Sequence, residues 1–184
     1  IQKLLDIKHA LNQNFVEREN EIEGLLIALL SRQHVLLLGP PGVGKSQLSR
    51  AFTEVVDGSS YFEWCLSQFT SPEELFGSII FEEFEKGIYK RNTANKMPEA
   101  HIAFVDEIYK ANSAVLNTLL PLINERVFHN GDMVQKSPLI TVVGASNEFA
   151  EEDNLAALSD RFVLRYDVER IKEPQNFVKM LEGI

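Results

Sequence analysis

The sequence has one cysteine, one tryptophan and four histidines in 184 residues. A single thiol excludes an internal disulfide, so the fold must rest on its hydrophobic core, and a reducing, cytoplasmic setting is expected. Cys65 stands in the apolar-looking stretch YFEWCL and is expected to be a small core residue. His9, His34, His101 and His129 lack metal-ligand spacing. The longest apolar run, Leu25 to Leu30, falls far short of the roughly 20 residues that span a bilayer. The opening IQKLLDIKHALNQNF mixes charges and has no signal-peptide core. Basic residues are scarce, 18 Lys and Arg against 27 Asp and Glu, for a net charge of -9. That sign disfavours a partner whose phosphate charge must be offset, such as duplex nucleic acid. Repeats and low-complexity stretches are absent. There is no initiator Met, and the sequence stops inside the helical-looking EPQNFVKMLEGI, so a piece of a longer protein is expected.

What is present suits one globular domain, with 45% hydrophobic residues. Ile22, Leu25, Leu26, Leu29 and Leu30 fall on one helical face. HVLLLG reads as a short buried strand, followed by PPGVGKS and a helix to about Val56. YFEWCL reads as a second strand, and SPEELFG as a short capped helix. The stretch around Ile79 to Arg91 reads as a hairpin turning near Glu85 to Gly87. HIAFVDE is a third core strand. Ser113 then opens a helix with Val115, Leu116, Leu119, Leu120 and Ile123 inside, kinked at Pro121. Asn130-Gly131 between alternating flanks signals a hairpin turn. LITVVGAS and RFVLRYDV are the fourth and fifth core strands. Apolar strands alternating with helices predict an α/β fold, with a mostly parallel sheet covered on both faces.

GPPGVGKS fits the pattern G-x-x-x-x-G-K-[ST] and lies between a strand and a helix, the context this phosphate-binding loop requires. The candidate binding set is Gly39, Pro40, Pro41, Gly42, Val43, Gly44, Lys45, Ser46 and Gln47. The glycines let backbone N–H groups curl inward, and the helix N-terminus adds partial positive charge. Lys45 supplies a full charge toward β- and γ-phosphates, and the Ser46 hydroxyl is a candidate Mg²⁺ ligand.

The strand HIAFVDE ends in two acids at the edge where a parallel sheet opens its crevice. Asp106 is the candidate to hold Mg²⁺ through its water shell, and Glu107 to orient and deprotonate an attacking water. The plainer reading is a strand running into a solvated acidic loop. Asn147, just past the fourth core strand, suits holding the lytic water or the γ-phosphate, and equally suits a turn. Arg161 stands at the entrance of the fifth strand beside Asp160, where a surface ion pair is the simplest reading.

This order of motifs resembles the AAA+ ATPases. FVERENEIEGLLIALLSRQHVLLLGPPGVGKS, VDEIYKANSAVLNTLLPLINERVF and SNEFAEEDNLAALSDRFVLRYDV resemble the MoxR-type branch over nearly the whole chain, although Glu17 stands where that branch commonly has Gly. The resemblance implies a P-loop NTPase αβα sandwich with core strands in the order 5-1-4-3-2 and two hairpin inserts. It makes residues 1–184 a nucleotide-binding core that stops before a helical lid. It implies Lys45 and Ser46 as Walker A, Asp106 and Glu107 as Walker B, and Asn147 as sensor 1. Arg161 then resembles the finger that reaches the γ-phosphate of the neighbouring subunit in a ring, commonly a hexamer. ATP, ADP and Mg²⁺ are the implied ligands, and protein clients with von Willebrand factor A partners the implied context. In related rings such inserts face the pore or the partner, so Phe81, Phe84, Tyr89, Lys90 and Arg91 are candidate client contacts. An assembly module with negligible turnover, a chelatase-type subunit and a DNA-acting motor are the alternatives.

Overall fold

The computed structural model describes residues 2–148 and 153–183. In chain order the elements are α1 (Gln2–Asn14), α2 (Glu19–Ser31), β1 (Val35–Leu38), α3 (Lys45–Glu54), β2 (Tyr61–Cys65), α4 (Pro72–Phe76), α5 (Phe81–Phe84) and β3 (Ile102–Asp106). They continue with α6 (Ser113–Glu125), β4 (Val127–Asn130), β5 (Met133–Lys136), β6 (Thr141–Ser146), α7 (Asp153–Ser159), β7 (Leu164–Asp167) and α8 (Pro174–Gly183).

The main sheet runs β2-β3-β6-β1-β7, and each neighbouring pair is parallel. Counting only these five core strands, the order is 5-1-4-3-2, as the family resemblance implies. Every residue of β1 and β6 is buried because helices cover both faces. Alternate residues feed opposite layers. Leu36, Ala103, Val105 and Val142 join one core with α4, α6 and α7. Leu37, Phe104 and Val143 join the other with α1, α2 and α3.

Some elements differ from expectation. Leu4, Ile7 and Leu11 lie on the inner face of α1, a helical spacing that the mixed charge of the segment obscures. In α2, Ile22, Leu25 and Leu26 are buried but Leu30 is 62% exposed, because the stripe rotates off the sheet. In α6 Val115, Leu116, Leu119 and Ile123 are buried, joined by Leu122 rather than by Leu120, which is only partly covered, and the helix carries Pro121 inside it. Asn112 rather than Ser113 is its cap, accepting from the Val115 N–H at 3.0 Å. Cys65 is exposed, not core, because β2 is an edge strand and Cys65 is its last residue, still paired with Asp106. Phe162 is buried ahead of β7 rather than within it.

The stretch 79–91 is not a two-stranded hairpin. It closes through one antiparallel bridge, Ile79 with Arg91, around the single turn α5. Glu82, Glu83 and Glu85 suit a helical turn better than a strand pair. The β4–β5 hairpin is real, but its two-residue turn is Gly131-Asp132, since Asn130 pairs with Met133. Asn130 is instead buried, and its amide takes the Arg91 N–H (2.6 Å) and gives to the Arg91 carbonyl (3.1 Å). The two inserts are thereby joined. Among the described residues, no helix is long and apolar enough to cross a membrane.

Candidate active site

β1 ends at Leu38, and the chain must leave the sheet beside β7. A Cβ at Gly39 would stand 2.2 Å from the Val168 carbonyl, so only glycine permits this exit. Gly44 caps α3 with φ 86°, a left-handed conformation that aims the first turn of the helix back at the loop. Lys45 is the first residue of α3 and is buried. Its ammonium donates to the carbonyls of Gly39 (2.6 Å) and Pro40 (3.1 Å) and to Oδ1 of Asn147 (3.1 Å). Three acceptors saturate its three donors. Burial lowers the Lys45 pKa, against the pull of Asp106 and Glu107.

β3 delivers the acids. Asp106 Oδ1 accepts the Glu107 N–H at 2.9 Å. Glu107 sits at φ 51°, ψ 43°, a left-handed conformation that is rare for a residue with a side chain. Its Oε1 accepts from Asn147 Nδ2 at 2.6 Å, and its Oε2 lies 3.3 Å from the Lys110 ammonium. The Asn147 amide can face only one way here, oxygen to the ammonium and nitrogen to the carboxylate. Lys45, Asn147 and Glu107 thus form one polar line across the C-terminal edges of three parallel strands.

Residues 41–47 line a cavity of about 280 Å³ together with Asp106, Glu107 and Asn147. Gly39 and Pro40 line a neighbouring recess of about 410 Å³ with Asn147 and Asp167. The sequence candidates therefore converge, with one exception. Arg161 is exposed and precedes β7, whereas Gly39 follows β1. The two strands pair in parallel from Val35 with Leu164 to Leu38 with Asp167. The length of those strands, about 13 Å, separates Arg161 from its own P-loop. No ion pair between Arg161 and Asp160 occurs among the described residues.

A further recess of about 850 Å³ adjoins the P-loop. Its walls include Phe15, Val16, Ile171, Phe177 and Met180, with Gly42 to Gly44 at its edge. Arg18 lines it too, is only 6% exposed, and donates to the carbonyls of Glu17 (2.5 Å), Val43 (3.1 Å) and Glu169 (2.7 Å). Sequence reasoning missed Phe15, Val16, Arg18, Ile171, Phe177 and Met180 here, and Lys110 in the smaller site. Arg18 joins groups 25 and 151 positions away, so no local pattern could announce it.

The donors available for a cation are the Ser46 hydroxyl and the Asp106 carboxylate in the smaller cavity. No group of three or more His, Cys, Asp or Glu among the described residues could cage a metal. Few, hard oxygen donors fit Mg²⁺, which keeps waters and binds largely through substrate phosphates.

The MoxR domain in the MoxR-vWA-beta-propeller ternary systems matches residues 2–183. An uncharacterized protein of Methanocaldococcus jannaschii is 44% identical over 183 residues, 99% of this chain and 48% of that protein. The chaperone MoxR1 of Mycobacterium tuberculosis is 29% identical over 160 residues, 83% of this chain and 41% of that protein. The chain thus spans about half the length of the curated relatives it matches. A crystal structure of a protein assigned as an ATPase, from Cytophaga hutchinsonii, superposes with a TM-score of 0.74 at 19% identity. It covers 98% of this chain and 54% of that one, a likeness of fold. Domain match, relatives and fold agree, and the chain belongs to the MoxR family of AAA+ ATPases.

Proposed function

We propose that residues 1–184 are the nucleotide-binding core of an ATPase that hydrolyses ATP and couples turnover to remodelling or maturation of partner proteins. One observation carries this reading. A single cavity gathers Lys45, Ser46, Asp106, Glu107 and Asn147, and a larger apolar recess lies on the other side of the same loop. Polyphosphate suits the first and a purine base the second. Lys45 and the α3 N-terminus hold the β- and γ-phosphates. Ser46 and Asp106 would hold Mg²⁺, which when bound neutralises phosphate charge. Glu107 is the general base for the attacking water, and Asn147 orients it. A carboxylate has about four lone-pair sites, so Glu107 can take a water while keeping Asn147 and Lys110.

Arg161 is assigned to the site of a neighbouring subunit, in a ring of at least several copies. Its distance from its own P-loop and its exposure support that assignment. The family's setting in MoxR-vWA-beta-propeller ternary systems supports partners carrying von Willebrand factor A domains. The exposed Cys65 thiol fits a reducing, cytoplasmic setting. A second reading, an assembly module with negligible turnover, is favoured only by the double engagement of Glu107.

Phosphate release by the full-length protein tests both. Glu107→Gln should bind ATP normally and hydrolyse it at least about a hundredfold more slowly, since the amide accepts no proton. Lys45→Ala should abolish binding. Turnover of Glu107→Gln within twofold of the parent would remove Glu107 as the base. Absent turnover in the parent, with ATP-dependent assembly, would favour the second reading.

A further inference from the structure

Glu17 stands between Val16 and Arg18, which both line the apolar recess beside the P-loop. Its φ is 55°, in the left-handed region where glycine is at ease and glutamate is not. What the side chain does there offsets that strain. Its Oε2 accepts the backbone N–H of Lys172 at 2.8 Å. Its Oε1 accepts the Glu173 N–H at 3.0 Å and the Asn176 side-chain amide at 2.9 Å. These donors surround the start of α8, which begins at Pro174 and has no acid in its own first turn. A carboxylate from 155 positions away thus occupies the positive end of this helix. The same donors, Asn176 foremost, hold the Glu17 carboxyl below its ordinary range. It is therefore charged at neutral pH.

α8 is one wall of the recess, through Phe177 and Met180. The Phe15–Arg18 segment lines it too, through Phe15, Val16 and Arg18. Arg18 ties that segment to the P-loop through the Val43 carbonyl, and to the chain leaving β7 through the Glu169 carbonyl. Backbone of both lining segments is therefore pinned at Glu17 and Arg18.

We propose that Glu17 is a latch: a positioning residue that holds α8 against the base recess and so sets how fast nucleotide leaves. The proposal rests on the reading that this recess takes the base. Glu17 touches no phosphate-binding group, so its effect falls on ligands that carry a base and spares those that do not.

The test uses the full-length protein, a fluorescent ribose-labelled ADP, and inorganic tripolyphosphate as a ligand without base. Glu17→Gly suits the left-handed backbone and removes all three bonds. Glu17→Gln keeps the size and the backbone strain but turns an amide N–H₂ against a donor. Labelled ADP should leave Glu17→Gly at least about fivefold faster, and Glu17→Gln about threefold faster. Tripolyphosphate affinity should stay within about twofold, and Tm within about 3 °C. Amide exchange in α8 should quicken in both variants. Unchanged ADP release in both variants, with the parent preferring ADP to tripolyphosphate, would overturn the latch alone. Equal weakening of ADP and tripolyphosphate would also overturn it, by exposing a general structural role. A parent that holds tripolyphosphate as well as ADP would overturn the base recess, and the latch with it.

Discussion

Asn147 is the middle of the line from Lys45 to Glu107, and Asn147→Ala removes both of its bonds at once. Lys45 would keep its acceptors at Gly39 (2.6 Å) and Pro40 (3.1 Å), so its position changes little. Glu107 would keep only Lys110, at 3.3 Å on a side chain that is 45% exposed. A half-exposed pair of this kind contributes roughly 0–1 kcal/mol, too little to fix the carboxylate. The lost 2.6 Å bond to a charged acceptor is the stronger one, of order 1.5–3 kcal/mol. If that bond positions the base during hydrolysis, its loss slows turnover by roughly tenfold to a hundredfold. The asymmetry is the useful part: ATP affinity should change by less than about threefold while kcat falls by at least about tenfold. Phosphate release under saturating ATP, with calorimetric binding on the same preparation, measures both. A variant that loses affinity as much as it loses kcat would show that Asn147 serves Lys45 and the phosphates, not Glu107. A kcat within threefold of the parent would refute the line altogether.

Arg161→Ala should bind ATP nearly normally yet hydrolyse it at least about a hundredfold more slowly in the assembled protein. Mixing it with Lys45→Ala under subunit exchange should restore part of the phosphate release, because one interface of the pair has both an intact P-loop and an intact Arg161. Mixed assemblies with no recovered turnover would return Arg161 to the surface. His34 is buried, with one ring nitrogen on the Ile123 carbonyl at 3.0 Å and the other accepting the Val142 N–H at 2.9 Å. Burial, aided by Arg126, lowers its pKa from 6.5 to about 4 against the pull of the Ile123 carbonyl. Between these values the unfolded chain takes a proton that the folded chain refuses, so stability falls as pH falls. From pH 6.5 to 5 the loss is about 1–2 kcal/mol, and urea melts of His34→Gln should lack that part of the slope. Asn130→Ala strips the Arg91 backbone of both partners in a buried setting, so it should destabilise the joined inserts by about 1–3 kcal/mol. Faster amide exchange across both 79–91 and the β4–β5 hairpin would show the join, and a change in the hairpin alone would refute it.

The parts of this protein whose physics is local were legible in its residues alone. GPPGVGKS needs only its own glycines and the following helix to form a phosphate cradle. Four apolar residues before Asp106 suffice to make a buried strand that ends in acids. Ser71 through Glu74 form the expected capping box from their own side chains. Hydrophobic periodicity carried three of the five core strands to within a residue and the fourth to within two, and their alternation with helices carried the parallel sheet. Tertiary structure decided whatever depends on residues far apart in sequence. Cys65 is exposed because β2 is an edge strand, which composition cannot reveal. The 79–91 insert is built around Asn130, 39 positions from Arg91, so its own alternation misled. The Lys45–Asn147 bond spans 102 positions and exists only because parallel strands end on one edge. Arg18 and Glu17 are the strongest case. As sequence they are two charged residues before a helix. Packing makes one a buried tie between the P-loop and the chain leaving β7, and the other the acceptor for the backbone that leads into α8.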